Sequence, residues 1–320
     1  MIVMNFIQLN LNIKIMKKLI LSVIILLVSI STWAQQDAML SQYMFNGLFL
    51  NPAYAGSHPY TSASMLHRRQ WTAFDGAPVT SLIAVDGPVL KEKIGWGLIL
   101  SNDHIGVTNR TDFFANYDYQ IKIGKGKLSM GLKLGASQYY AKLSTLTVWD
   151  RTDDVFLGDR SSAILPKAGC GIYYYAERYY AGVSIPTIWA YDNTRNFNFN
   201  LEAASSLRRH YFLTGGYIFD VSKSVKLKPS VLIKYLASAP VQADFNLNAL
   251  ILDQFWVGTS IRTGDAIALI LEYQINKELR IGYAFDYTYS RLNSYSGGTH
   301  EVMIGYDFTR FAKIKTPRYF

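Results

Sequence analysis

One cysteine, Cys170, occurs in 320 residues. A lone thiol excludes an internal disulfide and any cysteine-based metal site. Charged residues make up only 17% of the chain. Beyond residue 34 no apolar run reaches the ~20 residues that a membrane-spanning helix needs. No Gly-x-Ser-x-Gly elbow is present, so a Ser/His/Asp hydrolase in a barrel wall has no support. His58, His67, His104, His210 and His300 are dispersed without metal-ligand spacing and read as loop and lumen residues. Asp150, Asp153, Asp154 and Asp159 cluster, but their spacing is not that of an EF-hand, and Arg151 and Arg160 intervene. A solvated loop is the better reading than a calcium site. Gly124–Lys127 (GKGK) resembles a phosphate loop only superficially and fits a hairpin turn. The sequence therefore predicts no catalytic residues, no cofactor and no metal: not an enzyme.

What is present begins with a leader. Lys17 and Lys18 form a basic start, Leu19–Ile30 an apolar stretch, and Thr32-Trp33-Ala34 a small-residue cleavage site. Residues 1–34 are expected to be a signal peptide with its start at Met16, the alternative being an uncleaved helical anchor. Removing Lys14, Lys17 and Lys18 takes the net charge from +9 to +6. The remaining basic residues are scattered and follow an export signal. They fit turns and lipid headgroups rather than nucleic acid.

Hydrophobic residues reach 50%, with 23 Tyr and 17 Phe, and they are arranged with a period of two. In 111–122, Thr111, Phe113, Ala115, Tyr117, Tyr119 and Ile121 alternate with Asp112, Phe114, Asn116, Asp118, Gln120 and Lys122. Successive strand residues face opposite sides, so one face suits lipid and the other water. The same holds at 128–137, where Leu128, Met130, Leu132 and Leu134 oppose Ser129, Gly131, Lys133 and Gly135. It recurs at 225–235 and 279–290. These segments exceed the ~6 residues usual in soluble sheets. They predict an all-β fold, a transmembrane outer-membrane β-barrel of about fourteen antiparallel strands over 61–311. The strands are expected near 61–71, 79–89, 94–103, 111–122, 127–142, 164–176, 179–189, 206–219, 225–236, 241–251, 255–262, 266–275, 279–290 and 299–310. A basic tail follows at 312–320.

The connections carry the same message. Those after even-numbered strands are short, while the longest, 143–163 and 190–205, follow odd-numbered ones. With a periplasmic N-terminus the short turns fall in the periplasm and the long loops outside. Tyr173, Tyr174, Tyr175, Tyr179 and Tyr180 flank one short turn and are expected to form an aromatic girdle there, ordinary strand packing being the alternative. Residues 35–60 do not alternate. Rich in apolar and aromatic side chains, they are expected to form a plug-like segment at the periplasmic mouth.

Three stretches together resemble a known family: Ser41–Ser57 (SQYMFNGLFLNPAYAGS), then Arg69-Gln70-Trp71 with Gly76-Ala77-Pro78 and Thr80, and finally Thr299–Tyr306 (THEVMIGY). Asp103–Gly106 (DHIG) is a weaker fourth. In this order they are similar to the PorP/SprF family of type IX secretion outer-membrane proteins of Bacteroidota, over about Gln36–Phe308. The resemblance implies a non-enzymatic component of type IX secretion or gliding in the outer membrane. It further implies support for export or anchoring of a secreted surface adhesin or other cargo, or a link to periplasmic secretion components. Outer-membrane lipid is the other expected partner. A general porin or small hydrophobic-solute channel is the alternative.

The residues of interest are Gln42, Tyr43, Phe45, Asn46, Asn51, Pro52, Tyr54, Gly56, Gln70, Trp71, Gly76 and Pro78. Two roles are open to them. In one, Tyr43, Phe45, Leu48 and Phe49 pack into the barrel mouth and Asn51-Pro52 turns the chain into the first strand. In the other, part of this surface docks a partner. Arg68, Arg69, Gln70 and Trp71 are read as running towards an external loop, with Gly76–Pro78 as its turn.

Overall fold

The computed structural model describes residues 39–89, 93–147, 158–162, 164–190, 209–237 and 239–308. The leader, Met16, Asp150, Asp153, Asp154 and the basic tail lie outside the described residues.

Alternation becomes strand throughout. The strands are β1 (Thr61–Arg69), β2 (Val79–Val89), β3 (Ile94–Ile105), β4 (Thr108–Ile123), β5 (Gly126–Ala141), β6 (Arg160–Ser161), β7 (Leu165–Tyr175) and β8 (Tyr179–Ala190). They continue with β9 (His210–Tyr217), β10 (Phe219–Ser222), β11 (Val225–Leu236), β12 (Gln242–Ile251), β13 (Phe255–Arg262), β14 (Ala266–Gln274), β15 (Leu279–Thr288) and β16 (Thr299–Phe308). Fourteen of them form a closed antiparallel barrel, in which β1 pairs with β16 and β9 with β11. The short β6 pairs with β5, and the short β10 with β11, outside the ring.

Sequence and structure part at the β3–β4 hairpin, and also where the strand expected at 206–219 ends at Tyr217 and Phe219–Ser222 form the separate β10. The expected third and fourth strands stopped at 103 and resumed at 111, whereas β3 and β4 run to Ile105 and from Thr108. Gly106 makes the tight turn at φ +57°. Alternation fades here because Asn102 satisfies its amide locally, donating to Asn109 at 2.6 Å and Thr111 at 3.0 Å.

One side of each strand faces outward and is apolar. On β4, Phe113, Tyr117, Tyr119 and Ile121 are exposed, while Asp112, Phe114, Asn116, Asp118 and Gln120 are buried inside. Leu132 and Leu134 of β5, and Phe245 and Leu247 of β12, continue the outer band. A belt of this extent is a lipid-facing surface, not a water-facing one. No helix among the described residues is long and apolar enough to cross a membrane; crossing is by strands.

The tyrosine cluster divides by parity. Tyr174 and Tyr179 lie outside, 5.9 Å apart between ring centroids, and Tyr179 stacks on Tyr217 at 6.4 Å. Tyr173 and Tyr180 are buried inside. The girdle reading therefore fits Tyr174 and Tyr179 and fails for Tyr173, Tyr175 and Tyr180, Tyr175 donating inward to Gln120 at 2.8 Å. Neighbours in a strand cannot share a face.

One end of the barrel carries both ends of the described barrel chain, Thr61 and Phe308, and the short connections after β2, β4, β7, β12 and β14. It is called the turn end. The opposite, loop end carries the C-terminal ends of β1, β5, β8 and β15, and the described residues 70–78 and 289–298.

Candidate functional site: the occupied lumen

A barrel of about fourteen strands is too wide for its own wall side chains to fill, since that limit lies near ~8 strands. Residues 39–56 supply the filling. Leu40, Ser41, Gln42, Tyr43, Asn46, Leu48, Asn51, Ala53, Tyr54 and Ala55 are all buried, as are Phe45, Pro52 and Gly56. The segment folds as three 3-10 turns, Tyr43–Phe45, Gly47–Phe49 and Pro52–Tyr54. Asn51 caps the last turn by accepting from the Ala53 N–H at 2.9 Å, with Pro52 at the first position, where no N–H is needed. Asn51-Pro52 thus shapes the middle of the plug. The chain leaves for β1 at Gly56, whose φ is +64°.

Towards the loop end the plug meets a charged wall. Glu301 of β16 accepts the backbone N–H of Ser41 at 2.8 Å and of Gln42 at 2.7 Å. Arg68 of β1 donates to Glu301 at 2.9 Å, to Asp286 of β15 at 2.8 Å and to the Ser41 hydroxyl at 3.0 Å. The Ser41 hydroxyl in turn donates to Asp286 at 2.7 Å. Arg68, Asp286 and Glu301 are each at most 2% exposed. Charges this deep are tolerable only when paired and hydrogen-bonded, and the plug backbone supplies two of the donors to Glu301. Two further buried arginines pair across the lumen wall: Arg262 with Asp244 at 3.2 Å towards the loop end, and Arg280 with Asp307 at 3.0 Å towards the turn end.

Further along, the plug crosses the lumen. The Tyr43 hydroxyl accepts from Asn246 of β12 at 2.6 Å, Phe45 lies 5.9 Å from the Trp256 ring of β13, and Asn46 donates to Ser64 of β1 at 2.9 Å. Asn51 donates to the Ile172 carbonyl of β7 at 3.0 Å, and Ser184 of β8 donates to the Leu50 carbonyl at 2.7 Å. Two wall glycines make this approach possible. A Cβ at Gly171 would strike Asn51 Oδ1, and one at Gly131 would strike the Ala53 nitrogen. Tyr54 packs edge-on to Tyr173 at 5.7 Å. At the turn end Gln120 of β4 donates to the Gly56 carbonyl at 3.0 Å, and the Gly56 N–H donates to Asp86 of β2 at 3.3 Å. The plug therefore runs from beside Arg68, near the loop end, down to the turn end, reaching well past the mouth.

The remaining residues of interest sit apart from these. Gln70, Trp71, Gly76 and Pro78 form the β1–β2 loop, half-buried or exposed. The Gln70 N–H donates to the Pro78 carbonyl at 2.9 Å and Gly76 turns at φ +73°. The stretches that carry the family resemblance nevertheless meet. The first bonds to Glu301 of the third, the Trp71 N–H of the second donates to Thr299 of the third at 3.2 Å, and the Gly106 N–H of the fourth donates to the Gly76 carbonyl at 2.8 Å. Arg68 does not run into the external loop: it points inward, while Arg69 faces out. Its parity with Ser62, Ser64 and Leu66 was the signal for this. Glu301 and Asp286 were missed as plug contacts because nothing local marks a charge whose partner lies some 250 positions away.

Among the described residues no group of three or more His, Cys, Asp or Glu side chains is placed to hold a metal. The geometry offers a lumen occupied by residues 39–56 and two rims.

Solved outer-membrane barrels resemble the chain loosely. The Acinetobacter baumannii outer membrane protein Omp33 is 8% identical, with 79% of this chain and 100% of that one covered and a TM-score of 0.46. The KdgM porin is 12% identical over 77% and 99%, with a TM-score of 0.39. A porin triple mutant from Rhodopseudomonas blastica is 9% identical over 78% and 99%, with a TM-score of 0.34. No curated protein matches. The profile of type IX secretion system membrane protein PorP/SprF matches residues 32–306. With its lipid-facing barrel and its plugging signature segment, the chain belongs to the PorP/SprF family of type IX secretion system membrane proteins and resides in the outer membrane.

Proposed function

We propose that this protein is a non-enzymatic, self-plugged component of type IX secretion that supports export or surface anchoring of a partner. That partner is a large secreted adhesin or another type IX cargo, or a periplasmic secretion component. The occupied lumen carries the reading. A barrel filled by its own residues 39–56 offers a partner its rims rather than a passage, so it holds or docks instead of conducting macromolecules. On this reading the turn end faces the periplasm, in keeping with its short connections. The lumen residues Gln42, Tyr43, Phe45, Asn46, Asn51, Pro52, Tyr54 and Gly56 act as structure. The docking candidates are those of the β1–β2 loop: exposed Gly76 and half-buried Gln70, Trp71 and Pro78. The alternative, a general porin or hydrophobic-solute channel, needs an open lumen, and the plug argues against it. The test is deletion of the gene followed by an inventory of surface proteins. Loss of at least one surface protein or secretion component, restored by complementation, is expected. An unchanged inventory would sink the proposal.

A further inference from the structure

The register of β15, β16, β1, β2 and β3 lets the outer wall be followed row by row. The row of Ile281, Ile304, Met65, Ile83 and Leu100 is wholly apolar. One row nearer the loop end stand Tyr283, Val302, His67, Ser81 and Asn102, and the next holds Phe285, His300, Arg69, Val79 and His104. Apolar wall thus gives way within two rows to a band holding three histidines and an arginine. No acid of these five strands faces outward: Asp86, Asp103, Asp286, Glu301 and Asp307 are all buried on the inner face. Asp75, in the adjoining β1–β2 loop, is exposed and forms no ion pair with them. Two of the rings are held in place. His67 Nδ1 shares a hydrogen bond with the Ser81 hydroxyl at 3.0 Å, and His300 Nδ1 with the Tyr283 hydroxyl at 2.7 Å. The Phe285 ring lies 5.1 Å from that of His300. Each imidazole therefore keeps Nε2 for a ligand. Arg69, directly opposite His300 in the β1–β16 ladder, is exposed, and its guanidinium has no hydrogen-bond or ion-pair partner among the described residues. Opposed side chains start ~5 Å apart and diagonal ones, such as His67 and His300, ~7–8 Å. One small anionic group can meet all three.

We infer that Arg69, His67 and His300 form a binding site for the phosphate monoester of a glycolipid in the leaflet at the loop end. The guanidinium fork takes two phosphate oxygens, and the two imidazoles reach the third. A monoester presents three terminal oxygens and a second charge near neutral pH, whereas the diester of a common phospholipid presents two oxygens and one charge. The level on the wall fits as well. Directly beyond the apolar rows lie the lipid headgroups, where basic side chains meet phosphate and where Tyr283 and Phe285 serve as interfacial anchors. An acidic protein would have to displace lipid from the apolar row below to reach the same three side chains. That the leaflet is the outer one rests on the proposed orientation, with the turn end in the periplasm; the site itself does not.

The test is native mass spectrometry of the purified, delipidated full chain titrated with three lipids: diphosphorylated lipid A, the same lipid stripped of its phosphates, and phosphatidylglycerol. Lipid A is expected to bind about tenfold more tightly than either of the others, and an equal concentration of inorganic phosphate does not displace it. Arg69→Gln lowers its affinity about fivefold, and Arg69→Gln with His300→Gln about twenty-fivefold, as one and two basic side chains near a membrane surface would. Lys122→Gln, which removes a basic residue of β4 at the turn end, leaves it unchanged. Heat-modifiable migration in gels shows that each variant is folded. Equal binding of the phosphate-free lipid or of phosphatidylglycerol, displacement by inorganic phosphate, or undiminished affinity in the folded Arg69→Gln variant would each overturn the inference. Lipid binding in vitro does not depend on any secretion partner, so this inference and the proposed function fail separately.

Discussion

Replacing Glu301 by glutamine removes one charge at the point where plug and wall are most tightly joined. The carboxylate accepts three donors, the Ser41 and Gln42 amides and Arg68. Hydrogen bonds to a charged group contribute about 1.5–3 kcal/mol each. In Glu301→Gln one oxygen becomes an amino group, which faces a donor and cannot accept. Arg68 keeps Asp286 at 2.8 Å, so it is not orphaned. The loss is therefore nearer to one or two such bonds than to the collapse of a buried pair, about 3 kcal/mol. At ~1.4 kcal/mol per factor of ten, the leading end of the plug opens ~100-fold more often. Leu48, Leu50 and Tyr54 stay seated, because each large apolar side chain still contributes about 1.5–3 kcal/mol on burial. Hydrogen exchange read by mass spectrometry in detergent micelles checks this. Exchange over 40–46 accelerates ~100-fold while 48–56 hardly changes. Equal protection in variant and wild type would refute the latch, and uniform loss across both halves would refute the division into latch and wedge.

Two further outcomes follow from the same geometry. Gly131→Leu drives a side chain into the Ala53 backbone, an overpacking that costs about 1–3 kcal/mol or more; the plug is dislodged while the outer wall stands. Bilayer recordings then show a conductance much larger than wild type, and wild-type behaviour would contradict the contact. At the loop end, Asp159 accepts from the Ser144 hydroxyl at 2.6 Å, the Tyr140 hydroxyl at 2.7 Å and the Ser144 N–H at 3.2 Å. These bonds, that of the Ser144 hydroxyl first, hold its carboxyl below the usual carboxylate value. A lowered pKa means the fastening is fully present above about pH 4 and is lost as pH falls through the depressed value. A carboxyl-carbon NMR titration shows a midpoint below that of a free aspartate; a midpoint at or above it would remove the fastening.

The barrel was legible because its physics is local. Period-two alternation at 111–122 or 279–290 needs only the wall's own two faces, and the short turn after β4 needs only Gly124 at φ +58°. The strand boundaries drifted where outward polar residues such as Asn102 satisfied one another. The lumen was far less legible. Ser41–Gly56 announced itself as apolar and non-alternating, which says that it is buried but not where. Its depth is set by contacts across the whole barrel: Glu301 and Asp286 at one end, Gln120 and Asp86 at the other. The gaps that admit it are absences, the missing Cβ atoms of Gly131 and Gly171, and a glycine in a strand reads as a weak strand residue until something is seen lying against it. The tyrosine run failed for a simpler reason. Clustering was weighed above parity, and parity divides Tyr173 and Tyr180 from Tyr174 and Tyr179.

That residues 39–56 occupy the lumen in the membrane can be measured with one cross-link. Asn51 and Gly171 touch across the plug–wall contact, close enough for a disulfide's short Cβ–Cβ span. With Cys170→Ser as background, Asn51→Cys and Gly171→Cys are introduced together and oxidised in native outer membranes. The account predicts near-complete formation of an intramolecular disulfide in the folded barrel, seen as a mass loss of two hydrogens and as protection of both thiols from maleimide. Two freely labelled thiols in a folded barrel would show that the segment lies elsewhere.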